Sequence, residues 1–171
     1  MLRENLDFDV EHKKVELDEI QSLDLKKIVE HKVRQAYEIV KGPVLVEDVS
    51  LRLDALGGLP GPLIKWFLEE IGAEGICDLA NKLDNHKATA EVCYGYFDGK
   101  TLKFFIGQKK GTIAPETRGE DFGWNKSFIP EGSAKTYAEM AGEETAKFSL
   151  RSTTVYPRIK VFLSNLDKDQ A

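Results

Sequence analysis

Ile28, Val29, Val33, Ala36, Tyr37 and Val40 recur at three- and four-residue intervals, which predicts an amphipathic helix over 25–40. Asp24 stands where it can cap that helix. Gly42-Pro43 breaks it, and Val44-Leu45-Val46 follows as an unbroken β-favouring run. Such a run is the pattern of a strand buried on both faces. Glu47 and Asp48 then fall where the strand is expected to end. Upstream, residues 2–6 read as the tail of a helix. Phe8, Val10 and Val15 alternate with charged residues, which predicts a strand over 8–16 before a polar loop over 17–22.

Downstream, the Gly/Pro-dense segment Leu56–Pro62 demands a specific loop path, either as a connector or as the rim of a pocket. Residues 63–71 read as a helix with a large apolar face, and a second short helix is expected over 74–83. Trp66 on the first of these is assigned to the core or to a subunit interface. From residue 87 the period changes to two. A strand over 88–97, a turn at Asp98-Gly99 and a returning strand from 101 make an antiparallel meander. After a loop over 115–127, Phe128-Ile129-Pro130 reads as a short edge strand. Short helical pieces over 136–141 and 143–148 come next. The final helix spans 152–166, with Val155, Ile159, Phe162 and Leu166 inward and Pro157 in its first turn. The pattern predicts an α/β fold: a mixed, twisted sheet with flanking helices and an antiparallel extension.

Composition narrows the function classes. The 171 residues suit one domain, and the net charge of -5 argues against a protein built to grip nucleic-acid backbone. No apolar run approaches the roughly 18 residues of a membrane span, and residues 1–20 lack the apolar region of a signal peptide. Cys77 and Cys93 lack metal or redox spacing and read as reduced structural thiols, which places the chain in the cytoplasm. His12, His31 and His86 lie in polar surroundings and read as surface residues.

Three groups of residues could carry chemistry. Glu19, Glu47 and Asp48 are acids in loops or at a strand end, where a hard cation such as Mg²⁺ could share carboxylate oxygens with a substrate's phosphates. With 29 acids in the chain, three solvated carboxylates are the competing reading. Phe122-Gly123-Trp124-Asn125 could stack on a base and read its edge, or could be a structural loop with core aromatics. Lys32 and Arg151 could contact phosphate or base, or could be surface cations. No nucleophile–histidine set and no GxxxxGK[ST] loop is present.

The motifs taken in order remove much of that ambiguity. Gly42-Pro-Val-Leu-Val-Glu-Asp48 is followed by Ala55-Leu-Gly-Gly-Leu-Pro-Gly-Pro62 with Ile64-Lys-Trp-Phe67. Then come Asp121-Phe-Gly-Trp124, Phe128-Ile-Pro-Glu-Gly132 and Thr136-Tyr-Ala-Glu-Met140. This succession, over about residues 8–163, resembles the inosine triphosphate pyrophosphatase family. The resemblance implies an elongated, usually dimeric α/β protein with a central cleft. It implies Mg²⁺-dependent hydrolysis (with Mn²⁺ a possible substitute) of ITP, dITP or XTP to the monophosphate and pyrophosphate. It implies Glu19 as a metal-binding glutamate, with Glu47 and Asp48 as further metal acids. Asp48 would also be the proton acceptor for the attacking water. It makes Lys32 a phosphate contact, Val49 a neighbour of the substrate, Phe122, Gly123, Trp124 and Asn125 the base-reading segment, and Arg151 the arginine of a Ser-His-Arg motif.

The chain also departs from that family. The family's opening strand and its Ser/Thr-Gly-Asn-x-x-Lys phosphate loop have no counterpart, so one domain over 1–171 is expected without them. Asn125 replaces an aspartate, Val49 a serine or threonine, Thr145 a lysine, and Leu150 the histidine before Arg151. An amide donates as well as accepts, so Asn125 changes which base edge can be read. The alternative expectation is a non-catalytic or substrate-shifted nucleotide-binding relative that kept the fold.

Overall fold

The computed structural model describes residues 10–169. Helix α1 (Leu25–Val40) begins where Asp24 accepts hydrogen bonds from the Lys26 and Lys27 amides. It ends at Lys41, which adopts a left-handed conformation. Strand β1 (Val44–Leu53) is ten residues long, and its chain then turns through Asp54–Leu56 into the short β2 (Pro60–Gly61). Helix α2 (Ile64–Lys82) breaks at Gly72, whose φ of 68° only glycine adopts readily, so two helical pieces form as expected. Strands β3 (Lys87–Phe97) and β4 (Leu102–Ile113) make a long hairpin. Asp98 Oδ1 accepts from the Lys100 and Thr101 amides at its turn, and Gly99 supplies a φ of 93°. Strand β5 (Phe128–Pro130) follows, and then α3 (Glu143–Phe148), α4 (Leu150–Thr154) and α5 (Tyr156–Asp169) close the described chain.

The sheet order is β2-β1-β3-β4-β5, and every pairing among the described residues is antiparallel. The fold is therefore α/β as expected, but its sheet is antiparallel throughout rather than mixed. Helix α1 covers one face, where Leu25, Val29 and Cys93 are buried against Phe104. Its approach is close: a Cβ at Gly95 would meet Val29 Cγ1 at 2.7 Å. The other face carries the larger core, in which Leu51, Ile76, Val92, Tyr94, Phe128, Val155 and Ile159 are all buried. Each such aliphatic or aromatic side chain contributes about 1.5–3 kcal/mol through burial. Phe162 packs edge-on against both Tyr96 and Phe105, which docks α5 on β3 and β4.

Several expectations change. Residues 10–16 form no strand, and the expected helix tail over 2–6 and strand start at 8–9 lie outside the described residues. The strand bearing Glu47 and Asp48 does not stop at Val46. The alternation Val49-Ser50-Leu51-Arg52-Leu53 continues it in register against β3, so both acids sit in mid-strand and only part-buried. Trp66 is 56% exposed and is no core residue. His86 is only part-exposed, with its Nδ1 2.7 Å from the Ile113 carbonyl oxygen. Pro157 is the second residue of α5, as its fixed φ favours.

Candidate active site

Successive residues of a strand point to opposite faces, so Glu47 and Asp48 cannot share one face of β1. Cross-strand register separates them further: Glu47 stands opposite Tyr94, and Asp48 opposite Cys93. Each carboxylate then meets a different cation.

Asp48 meets Lys32 from α1. The Lys32 ammonium donates to Asp48 Oδ2 at 3.2 Å and to Glu19 Oε1 at 3.1 Å, so one lysine joins two carboxylates. Asp48 Oδ1 accepts from the Val49 amide at 2.8 Å. Burial pushes the Asp48 carboxyl above the ordinary aspartate range, and Lys32 offsets this only in part. For Lys32, burial pulls downward, but the attraction of Asp48 and Glu19 outweighs it and holds the ammonium above its usual value. Fully ionised, the trio carries one negative charge in excess. The local electrostatics therefore favour further positive charge beside Asp48.

Glu47 meets Arg151 from α4. Arg151 Nε donates to Glu47 Oε2 at 2.9 Å and Nη2 donates to Oε1 at 2.5 Å, a two-pronged contact that fixes the guanidinium plane. The buried Tyr94 hydroxyl donates to the same Oε2 and lies 3.4 Å from the Tyr156 hydroxyl. Hydrogen bonding to Glu47 holds Arg151 firmly protonated. Burial together with the Glu47 charge pushes the Tyr94 phenol well above its normal range. Helix α4 itself rests on β4 at Gly107, where a Cβ would meet Thr154 Oγ1 at 1.8 Å.

Between these two clusters lies a cavity of about 420 Å³. Glu19, Asp48, Val49, Arg151 and the segment Phe122–Asn125 all line it. Lys32 and Glu47 stand behind it, each holding a residue that does line it. Phe122 is 84% exposed at the rim, a cost that a surface aromatic bears without burial. Trp124 differs: it is buried edge-on against Phe128, with ring centroids 5.6 Å apart, and so serves largely as core. Gly123 between them has a φ of 62°, and Asn125 Nδ2 donates to Asp121 Oδ2 at 2.8 Å. Leu150, next to Arg151, is buried in the core.

The cavity wall also includes Lys65, Leu68 and Glu69 of α2, none of which was singled out from the sequence as a site residue. Their i, i+3, i+4 spacing puts them on one helical face and was the available signal.

A profile of the Ham1 family matches residues 2–156. The chain belongs to the Ham1 family. Among Ham1 relatives, the inosine triphosphate pyrophosphatase of Schizosaccharomyces pombe is 41% identical over 84% of this chain and 77% of its own length. Inosine triphosphate pyrophosphatase 2 of Trypanosoma cruzi is 44% identical over 84% of this chain and 74% of its own. A solved HAM1 protein from Coxiella burnetii superposes with a TM-score of 0.79 at 19% identity, covering 96% of this chain and 91% of that one. The Staphylococcus aureus Ham1 protein gives a TM-score of 0.72 at 23% identity, over 88% and 81%. These last two show the shared Ham1 fold.

The donor set can be tested against a hard divalent cation. Among the described residues, no group of three or more His, Cys, Asp or Glu converges. Glu47 fits less well: it does not line the cavity, and its charge is already answered by the Arg151 guanidinium. Glu19 and Asp48 do fit: they offer two carboxylates with excess negative charge. Mg²⁺ characteristically takes one or two carboxylates and completes its shell with water and substrate phosphates.

Proposed function

We propose that this chain hydrolyses non-canonical purine nucleoside triphosphates, ITP, dITP and XTP, to the monophosphate and pyrophosphate. The observation that carries the reading is one cavity holding the Glu19–Asp48 carboxylates at one part of its wall and the exposed Phe122 ring at another. The names of relatives 41% and 44% identical support the substrate class.

In this reading Asp48 is the catalytic base. A water oxygen bonds to phosphorus, the bridging bond between the α- and β-phosphoryl groups breaks, and Asp48 takes the water's proton. The Lys32 ammonium and the Val49 amide hold the Asp48 carboxylate in place for that transfer. Glu19 and Asp48 would hold Mg²⁺, or Mn²⁺ in its place, and the cation would neutralise phosphate charge. Lys32 and Lys65 supply positive charge toward the phosphates. Val49 borders the substrate, Phe122 stacks on the base with Gly123 and Trp124 shaping its support, and Asn125 and Arg151 meet polar groups of the nucleotide. Glu47 supports Arg151 rather than the cation.

Coarser properties follow the same reading. The molecule is elongated, with the cavity as its central cleft, and residues 1–171 act as one catalytic domain. It works in the cytoplasm, as its free thiols Cys77 and Cys93 suit. It pairs with a second copy, for which exposed Trp66 offers apolar surface. It needs neither nucleic acid nor membrane, and no described helix is long and apolar enough to cross one.

The test is pyrophosphate release from ITP, dITP, XTP and ATP with Mg²⁺ or Mn²⁺. The expected result is turnover of the first three, lost in Asp48→Asn. Absence of turnover of every nucleotide sinks the reading, and nucleotide binding without hydrolysis would instead mark a non-catalytic relative.

A further inference from the structure

Arg151 lines the cavity, yet its charge is already answered. Glu47 accepts hydrogen bonds from its Nε and Nη2, which leaves Nη1 outside the two-pronged contact. A guanidinium neutralised in this way is a poor clamp for a phosphate, whose recognition draws on net charge. It remains a rigid array of donors with no acceptor. Such a group selects an acceptor on a neutral partner, and on a purine that means a carbonyl oxygen in preference to an amino group.

The plane of that array depends on groups that do not touch the cavity. Glu47 is fixed from behind by the Tyr94 hydroxyl, which comes from the directly opposite position of β3 and is 1% exposed. Tyr94 in turn packs edge-on against Tyr156 at a centroid distance of 6.0 Å, so it has little freedom to swing. We propose that Tyr94 and Glu47 are positioning residues that set the Arg151 guanidinium plane, and that the chain Tyr94–Glu47–Arg151 thereby favours keto purines over amino purines. The proposal rests on the pyrophosphatase reading for its substrate, but the positioning itself is a property of the nucleotide-free protein.

Tyr94→Phe removes one hydroxyl from the chain of contacts. In the full-length protein it is expected to raise KM for ITP about three- to tenfold, the worth of one hydrogen bond. The change in kcat stays within about twofold, the signature of lost binding rather than lost chemistry. The ratio of kcat/KM for ITP over ATP falls with it. Glu47→Gln moves the same quantities further in the same direction. In nucleotide-free protein, ¹⁵N NMR is expected to show faster solvent exchange of the Arg151 Nε proton in Tyr94→Phe than in the wild type. Unchanged KM and ITP:ATP ratio, with only a lower thermal midpoint, would overturn the proposal. Equal Nε exchange in the two proteins would overturn it as well. If the wild type turns over no nucleotide, the pyrophosphatase reading fails. The exchange rates, with IMP against AMP binding, then still decide the positioning role.

Discussion

Asp48 and Glu47 each meet a cation, one on either face of β1, and the two pairings differ in kind. Asp48 shares a single lysine with Glu19, and the group it shares is a compact ammonium on a flexible stem. Glu47 is gripped at both oxygens by a planar arginine and backed by a buried tyrosine. The first arrangement leaves negative charge in excess and a partner that can move. The second is satisfied and rigid. Adjacent acids in a sequence can thus serve opposite ends: one open to a new cation, the other closed around a fixed one.

The sharpest way to break this contrast is to neutralise each acid in turn. Asp48→Asn is expected to lower kcat about 10²- to 10⁴-fold, the range for loss of a general base. A similar kcat loss in Glu47→Gln, with KM unchanged, would erase the distinction. The expected effect of Glu47→Gln on stability is about 1–3 kcal/mol of destabilisation in urea unfolding, reduced from the fully buried case because the pair is partly solvated. The Mg²⁺ concentration for half-maximal rate should rise in Glu19→Gln and stay put in Glu47→Gln.

A pH series sharpens the comparison without a large change in rate. Burial raises the Asp48 pKa in the folded state. Its contribution to stability is therefore fully present below the ordinary aspartate pKa and is lost as pH rises through the raised value. Relative to Asp48→Asn, the wild type should lose stability over that window, as thermal melts at stepped pH would show. The last comparison belongs to the rim. Phe122→Ala should raise KM for ITP by a factor of about 5–100, the worth of one base-stacking contact, with no shift in melting temperature because the ring is exposed.

Much of this fold was legible where a local rule acts alone. Asp24 capping α1, Gly99 turning the hairpin and Gly72 dividing α2 each follow from a single residue's chemistry. The motifs also brought Asp48, Arg151 and Phe122 to one cavity from sites far apart in sequence. The orientation of Glu47 was hidden for a different reason. It depends on β1 running on to Leu53, and the continuous apolar run at Val44–Val46 masked the alternation that begins after it. Trp124 and Phe122 look equivalent as aromatics in one loop, yet one is buried against Phe128 and the other is bare. Only tertiary packing separates them. The expected strand over 10–16 fails because alternation alone supplies no hydrogen-bonding neighbour.

Gly107 gives the arginine side of the cavity an unusual vulnerability. The short helix carrying Arg151 is seated in a notch one side chain deep, and the notch exists because β4 has only a hydrogen there. Gly107→Ala would act as a wedge beneath that helix. It would tilt the guanidinium while leaving every side chain of the pocket lining chemically unchanged, so selectivity would drift through a residue outside that lining.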